Sequence, residues 1–269
     1  MTELLASPLF IAFAVTTAAG LATVIGGLIV IFSKTPDPRL LAFGLSFAGG
    51  AMVYVSLTEV LGKSQEDLIS AHGESDGFFY ATLWFLAGVL IVATIDRLLP
   101  NPHDKLTINE EAIQEKSNDY IKKVGLLTAF AITAHNFPEG LATFFIMLDS
   151  PDVGISLALA IALHNIPEGV SIAIPVYFAT NSKSLAILAC LISGLAEPLG
   201  AVLGYLILEP YLSPSVFGAV FGLIAGVMVF LAVDELVPAA KHYAKGHETV
   251  YGLVFGMIVM ALSLVAFQH

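Results

Sequence analysis

The sequence predicts an all-α membrane protein with eight transmembrane helices that form one domain over residues 1–269. Two features of its composition and one of its pattern carry this prediction. Of the 269 residues, 57% are hydrophobic. Only 12% are charged, about half of the ~25% typical of soluble domains. Uncharged apolar stretches of helical length recur along the chain, and two internal repeats relate them to one another.

Eight apolar stretches are each long enough to cross the hydrocarbon core of a bilayer as an α-helix. They cover residues 8–33, 40–62, 78–99, 122–148, 153–179, 184–208, 215–238 and 249–267. Several contain Gly or Pro, which transmembrane helices tolerate when neighbouring helices satisfy the freed backbone groups. The connections are short, and the longest, 100–121, is polar. The lipid bilayer is therefore the predicted surrounding of this chain.

Charge excludes other classes of protein and predicts an orientation. Twenty-two acidic residues against 11 basic ones give a net charge of −11, which argues against a nucleic-acid partner. The single cysteine, Cys190, excludes an intramolecular disulfide and a thiolate metal cluster. Ten of the 11 basic residues follow helices 1, 3, 5 and 7, and only Lys63 lies on the other side. These four connections should face the cytoplasm, and both termini should lie on the outer side of the membrane. That membrane is predicted to be the cell membrane, which in a Gram-negative cell is the inner membrane.

A first repeat lies in helices 4 and 5. AITAHNFPEGLATFF (131–145) matches AIALHNIPEGVSIAI (160–174), so His-Asn-x-Pro-Glu-Gly occurs twice. The two helices cross the membrane in opposite directions, and the duplication is therefore inverted. Such repeats often locate the substrate site of a transporter.

A second, fainter repeat relates helices 1 and 2 to helices 6 and 7. GLATVIGGLI (20–29) resembles GLAEPLGAVL (194–203), and AGGAMVYVSLTEVL (48–61) resembles IAGVMVFLAVDELV (224–237). Helices 3 and 8 share no recognisable sequence. We predict that helices 1–3 and 6–8 form inverted halves around a symmetric pair of helices 4 and 5.

Polar side chains halfway along helices 4, 5 and 6 form the candidate site. Ionisable residues at this depth are costly and indicate function. His and Glu four residues apart share one helix face, and Pro138 and Pro167 free the carbonyls of Ala134 and Leu163. The candidate metal ligands are His135, Asn136, Glu139, His164, Asn165, Glu168 and Glu197.

Three carboxylates in one apolar layer would repel each other, and one or two divalent cations would remove that cost. Nitrogen and oxygen ligands without sulfur suit Zn²⁺, Fe²⁺ and Mn²⁺, and they argue against Cu⁺. The simpler alternative is a set of Pro-kinked helices held by polar contacts. Two antiparallel copies of the motif and a third carboxylate at the same depth favour a metal site.

HNFPEG in helix 4, HNIPEG in helix 5 and LAEP in helix 6 resemble the signature of the ZIP family of zinc and iron permeases. LLAFGLSFAGG (40–50) and VDELVP (233–238) extend the resemblance over nearly the whole chain. It implies uptake of Zn²⁺ as the transported substrate, with Fe²⁺, Mn²⁺, Co²⁺ and Cd²⁺ as further cargo and no cofactor. One departure is the connection between helices 3 and 4, where the family often has a His-rich loop and this chain has only His103.

The same resemblance implies a binuclear site. The first metal position would be held by Glu139, His164 and Glu168, with His135 nearby. The second would be held by Asn136, Glu139, Asn165, Glu168 and Glu197.

Other functions remain open from the residues alone. An intramembrane metal-dependent hydrolase is the main alternative, because a dimetal centre can activate water. The chain has no HExxH motif and no spare general base, and hydrolysis needs no inverted symmetry. A metal-stabilised structural or receptor protein is a third interpretation. The spans do not define an oligomer interface, so a homo-oligomer also remains open.

Charged residues outside the candidate site have two interpretations. Glu59, Asp234 and Glu235, near predicted helix ends, form either acidic vestibules or ordinary interfacial carboxylates. Asp96 with Arg97 is interpreted as an interfacial anchor. The acidic connection 63–77 is predicted to be a solvated outer loop.

Overall fold

A computed structural model describes residues 7–32, 38–98 and 118–267, and these residues form eight long helical elements without a strand. Two of the elements, α2 and α7, consist of three consecutive segments with a π-helical turn in the middle. The elements are α1 (Pro8–Phe32), α2 (Pro38–Val55, Ser56–Val60 and Leu61–His72), α3 (Glu74–Leu98), α4 (Asn118–Asp149), α5 (Pro151–Thr180), α6 (Lys183–Leu208), α7 (Pro214–Leu231, Ala232–Leu236 and Val237–Tyr243) and α8 (Glu248–Phe267). The all-helical prediction is confirmed for this part of the chain, and the predicted connection 100–121 lies mostly outside it.

Seven of the eight elements have the length and hydropathy to cross a membrane. Over the described residues the exception is α4, which concentrates His135, Asn136, Pro138 and Glu139 in a single turn and a half. These polar residues lower its hydropathy. The chain is therefore a multi-pass membrane protein by composition and fold, and its least apolar long helix is the one that carries the first motif.

Local sequence explains several helix ends. The hydroxyl oxygens of Ser182 and Ser213 accept hydrogen bonds from the backbone N–H groups of Leu185 and Val216, at 3.3 and 3.4 Å. Both serines thereby cap the first turn of a helix. Gly73 separates α2 from α3 with a φ of 87°, a backbone conformation that favours glycine.

The predicted outer loop over 63–77 is wrong. Of these residues only Gly73 lies outside a helix, because α2 continues to His72 and α3 begins at Glu74. The extension of α2 packs against α7: Leu68 is 1% exposed, and the Ser64 hydroxyl donates a hydrogen bond of 2.6 Å to the carbonyl of Gly218. Tertiary packing therefore stabilises a charged segment as helix.

As a consequence, Glu59 does not lie near the end of its helix. It belongs to the π-helical turn Ser56–Val60 in the interior of α2. A second π-helical turn, Ala232–Leu236, contains Asp234 and Glu235. The two turns occupy corresponding positions in the aligned stretches 48–61 and 224–237.

Lys63, the single basic residue predicted on the outer side, is itself buried and forms ion pairs with three acidic residues. Its Nζ is 2.8 Å from Oδ2 of Asp149, 3.1 Å from Oε2 of Glu66 and 3.3 Å from Oδ1 of Asp67. Only 9% of the Lys63 side chain is exposed. Since Asp149 ends α4, the network holds the carboxyl-terminal ends of α2 and α4 at one face of the molecule.

The helices pack as two groups of four. One group contains α1, α4, α5 and α6, and the other contains α2, α3, α7 and α8. Contacts of α2 and α8 with α5, and of α7 with α4, join the two groups. The three helices with the predicted site residues all belong to the first group.

Glycines allow the helices of the first group to approach closely. A Cβ atom on Gly26 of α1 would overlap the carbonyl oxygen of Ile166 on α5, and one on Gly200 of α6 would overlap that of Phe137 on α4. Gly20 and Gly194 lie against each other where α1 crosses α6. These contacts bring the backbones of α1 and α6 against the motif-bearing turns of α5 and α4.

Candidate metal site

All seven predicted ligands are buried in the first group of helices. His164 is 1% exposed, and each of the other six is 0% exposed. Helices α4, α5 and α6 continue through Pro138, Pro167 and Pro198. Each proline lacks the N–H that would bond the carbonyl four residues earlier, so polar backbone as well as side chains occupies this layer.

Two glycines bring α4 close to α6 and α5 close to α1. A Cβ on Gly140 would overlap the backbone of Glu197, and one on Gly169 would overlap the carbonyl of Thr23. The glycine that ends each His-Asn-x-Pro-Glu-Gly motif therefore contacts a neighbouring helix directly. Through Gly140, α6 comes close enough to α4 for Glu197 to join the site.

Glu139, His164 and Glu168 form the centre of the site. Nε2 of His164 is 3.2 Å from Oε1 of Glu139. One potential ligand atom from each of the three residues lies within 4.8 Å of the others. Oε2 of Glu139 and both carboxylate oxygens of Glu168 have no hydrogen-bond partner among the described residues. Buried carboxylate oxygens are normally paired, and a cation between them would satisfy all three.

The second half of the site joins Asn165 to Glu197. Nδ2 of Asn165 donates a hydrogen bond of 2.9 Å to the carbonyl of Ala19 and another of 2.6 Å to Oε1 of Glu197. A backbone carbonyl can only accept, so the amide nitrogen of Asn165 must face Ala19. Oδ1 of Asn165 and Oε2 of Glu197 have no protein partner in the described part of the chain.

Asn136 is oriented in the same way by α6. Its Nδ2 donates to the carbonyl of Ser193 at 3.2 Å and to the hydroxyl oxygen of Ser193 at 3.3 Å. Its Oδ1 is buried without a hydrogen-bond partner among the residues described. Both asparagines therefore bind protein through nitrogen, and both side-chain oxygens are left without a protein partner in the described part of the chain.

The sequence matches the family model described as ZIP zinc transporter over residues 101–264. The chain belongs to the ZIP zinc transporter family. The zinc transporter ZupT of Stenotrophomonas maltophilia K279a is 63% identical over 96% of both chains. The zinc transporter ZupT of Neisseria meningitidis FAM18 is 62% identical over the full length of both chains. The zinc transporter ZupT of Lysinibacillus sphaericus C3-41 is 44% identical over 95% of this chain and 97% of its own.

Of the seven predicted residues of this ZIP chain, three bring potential ligand atoms within 4.8 Å of one another, and the other four are buried in the same group of helices. The three are Glu139, His164 and Glu168, and Glu197 accepts a hydrogen bond from Asn165, the residue that follows His164. The nitrogen of Asn136 is directed to Ser193. His135 is buried on the same helix as Glu139, but it is not part of the converging group.

Sequence reasoning missed the residues that support the ligands. Ser193 lies one helical turn before Glu197, and that spacing puts both on one face of α6. Ala19 contributes only its carbonyl, which no side-chain pattern reveals. Thr16 and Thr23 of α1 are fully buried, and their hydroxyl oxygens have no hydrogen-bond partner among the described residues. The sequence signal that could have identified these two threonines is the polarity of their side chains in an otherwise apolar helix.

A second acidic group lies between the end of α3 and the π-helical turn of α7. Potential ligand atoms of Asp96, Asp234 and Glu235 lie within 4.8 Å of one another, and all three residues are partly exposed. The sequence predicted these residues as separate features, Asp96 as an anchor and the other two as a vestibule or as interfacial carboxylates. The structure instead puts them together at one face of the ZIP fold.

Proposed function

We propose that this protein carries divalent cations, mainly Zn²⁺, across the cell membrane into the cytoplasm through the site between α4, α5 and α6. One observation supports this most strongly: Glu139, His164 and Glu168 converge within 4.8 Å, fully buried in a multi-pass membrane protein. The family and the names of the relatives agree with it. The metal is therefore the transported substrate rather than a cofactor.

The ligand atoms suit zinc in two neighbouring positions. Glu139, His164 and Glu168 offer one nitrogen and carboxylate oxygens, the donor set that Zn²⁺ prefers. Asn136, Asn165 and Glu197 offer oxygens for a second ion, with the two central carboxylates bridging both. His135 lies next to Asn136 on the same helix and would support the first position. Nitrogen and oxygen ligands also accept Fe²⁺, Mn²⁺, Co²⁺ and Cd²⁺, so these ions are proposed as further cargo.

The fold is proposed to be one domain with eight membrane spans and an inverted repeat. The contact of Gly26 with Ile166 corresponds to the contact of Gly200 with Phe137. The first pair of repeats aligns Phe137 with Ile166, and the second aligns Gly26 with Gly200. The paired π-helical turns of α2 and α7 correspond in the same way.

Helices α3 and α8 also make contacts that correspond under the proposed inverted repeat. Gly88 of α3 lies against the carbonyl of Leu223, and Gly256 of α8 lies against the carbonyl of Phe47. Phe47 and Leu223 immediately precede the two aligned stretches of α2 and α7. Equivalent contacts therefore support a relation that the sequences of α3 and α8 do not reveal. An inverted repeat lets one site open to either side of a membrane.

The orientation is proposed to be that of the positive-inside rule, with both termini outside. Contacts between helix ends support an alternating passage of the chain. Lys183, at the start of α6, donates to the carbonyl of Ile31 near the end of α1 at 3.0 Å. Arg39, at the start of α2, pairs with Glu248 at the start of α8 at 3.6 Å. The basic residues that follow helices 1, 3, 5 and 7 then share one face, which is proposed to be cytoplasmic.

The protein is a transporter and not an enzyme, in agreement with its family. The alternative of an intramembrane hydrolase has no support in the site. Glu139, His164 and Glu168 all serve as metal ligands in this proposal, so none of them is left to act as a general base.

Uptake of radioactive zinc into proteoliposomes tests the proposed function. We expect saturable Zn²⁺ entry that is absent from liposomes without protein. Unlabelled Fe²⁺, Mn²⁺, Co²⁺ and Cd²⁺ should each compete, because they accept the same ligands. Folded protein that binds Zn²⁺ in detergent and yet gives no entry would contradict the proposal.

A further inference from the structure

We propose that Ser193 is a positioning residue that holds the amide of Asn136 with Oδ1 available to the transported cation. This inference rests on the proposed function. Ser193 lies on α6, is fully buried, and contacts Asn136 through both its carbonyl and its hydroxyl. It would therefore act on the metal without touching it.

Both contacts of Ser193 accept from the same atom, Nδ2 of the Asn136 amide. The carbonyl oxygen of Ser193 is 3.2 Å from Nδ2 of Asn136, and the hydroxyl oxygen is 3.3 Å from the same atom. Since the carbonyl can only accept, a flipped amide would place two acceptors against each other. The carbonyl therefore fixes which side of Asn136 remains for a metal, and the hydroxyl oxygen adds a second acceptor that holds Nδ2 in that position.

Asn165 shows the same arrangement with a different second acceptor. Its Nδ2 donates to the carbonyl of Ala19, at 2.9 Å, and to Oε1 of Glu197, at 2.6 Å. Ala19 directly precedes Gly20 as Ser193 directly precedes Gly194, so the two carbonyls occupy corresponding positions immediately before the aligned stretches 20–29 and 194–203.

The difference between the two halves gives Ser193 its role. Glu197 holds the second N–H of Asn165, and the residue of α1 aligned with Glu197 is Thr23. No carboxylate of α1 is therefore aligned to serve as a second acceptor for Nδ2 of Asn136. The Ser193 hydroxyl supplies that acceptor, whereas the corresponding residue of α1, Ala19, has no hydroxyl.

Loss of the hydroxyl removes one of the two acceptors of Nδ2, so the Asn136 amide is held by the carbonyl alone and its position is less well fixed. Groups that orient metal ligands typically contribute about 10- to 100-fold to metal affinity. We expect Ser193→Ala to raise the KM for Zn²⁺ uptake roughly 10-fold, with the maximal rate changed less than about twofold. Ser193→Thr keeps the hydroxyl and should restore the KM of the wild type.

The experiment compares Ser193→Ala, Ser193→Thr, Asn136→Ala and the double variant Asn136→Ala/Ser193→Ala in proteoliposomes with Zn²⁺. Because Ser193 acts through Asn136, the double variant should match Asn136→Ala. Ser46→Ala is the matched control, since Ser46 is equally buried and its hydroxyl donates to the carbonyl of Ala42, far along the chain from the site. Ser193→Cys, with a weaker acceptor of similar shape, replaces Ser193→Ala if that variant does not fold.

A second measurement does not depend on transport. Purified protein loaded with Co²⁺ gives a visible absorption spectrum that reports its ligands, and Ser193→Ala should alter it in the same direction as Asn136→Ala. An unchanged spectrum together with an unchanged KM would overturn the inference, as would effects of the two single substitutions that simply add. Absence of Zn²⁺ uptake by the wild type would instead count against the proposed function, and the Co²⁺ spectra would still decide the role of Ser193.

Discussion

A Glu139→Gln/Glu168→Gln variant is expected to fold and to lose zinc uptake. Both carboxylates are completely buried, and neither oxygen of Glu168 has a hydrogen-bond partner among the described residues. Glutamine preserves the volume of each side chain and removes the charge. Since a buried charge without a partner is costly, the metal-free variant should be at least as stable as the metal-free wild type.

The same substitution removes the charges that compensate a divalent cation. We expect the initial rate of Zn²⁺ uptake to fall by at least about 100-fold, because loss of ligands exceeds the 10- to 100-fold cost of disturbing their supports. Stabilisation by added Zn²⁺, measured as a rise in the unfolding temperature in detergent, should also disappear.

A matched control separates this effect from a general change in charge. Glu74→Gln/Glu209→Gln removes two carboxylates that are exposed on the protein, and it should leave uptake and zinc stabilisation unchanged. Retention of more than a tenth of the uptake rate by Glu139→Gln/Glu168→Gln would show that the cation takes another path.

A Gly140→Ala substitution is expected to disrupt the packing of α4 against α6. The added Cβ would overlap the backbone of Glu197, and backbone cannot move aside as the end of a side chain can. Overpacking of this kind typically costs about 1–3 kcal/mol or more. Because the displaced residue is Glu197, zinc binding should weaken together with stability.

Gly62→Ala provides the control for this prediction. A Cβ on Gly62 would meet no atom within 4 Å, so Ala should be neutral or stabilise α2 by up to ~1 kcal/mol. Unfolding temperatures in detergent, with and without Zn²⁺, measure both effects. If Gly140→Ala and Gly62→Ala unfold at the same temperature, the close contact between α4 and α6 is not needed.

The positions of most helices could be predicted from the sequence because their signal is local. A transmembrane helix needs about 20 apolar residues in a row, and this pattern is visible without any partner. The predicted span 153–179 differs from the observed helix Pro151–Thr180 by only one or two residues at each end. The repeated motif likewise identified the buried residues Glu139, His164 and Glu168, because polar groups are rare in such helices.

The extension of α2 could not be predicted in this way. Lys63, Glu66 and Asp67 make the segment look like a solvated loop. Contacts with residues far along the chain, of Lys63 with Asp149 and of Ser64 with Gly218, explain why it is helix. The grouping of the helices into two sets of four also depends on contacts between distant residues, such as Gly20 with Gly194.

The supports of the site were hidden for a related reason. The carbonyl of Ala19 binds Asn165, but every residue has a carbonyl, so no residue type marks it. Ser193 is one of many small residues in α6, and its role follows only from its distance to Asn136. Ligands can be recognised by residue type, whereas the groups that orient them depend on the fold.

Zinc-edge anomalous diffraction from crystals of the wild-type protein grown with Zn²⁺ tests the central claim most directly. We predict an anomalous peak between α4 and α5, at about 2.0–2.2 Å from carboxylate oxygens of Glu139 and Glu168 and from a nitrogen of His164. An empty position there, with zinc bound only at the exposed group of Asp96, Asp234 and Glu235, would contradict it.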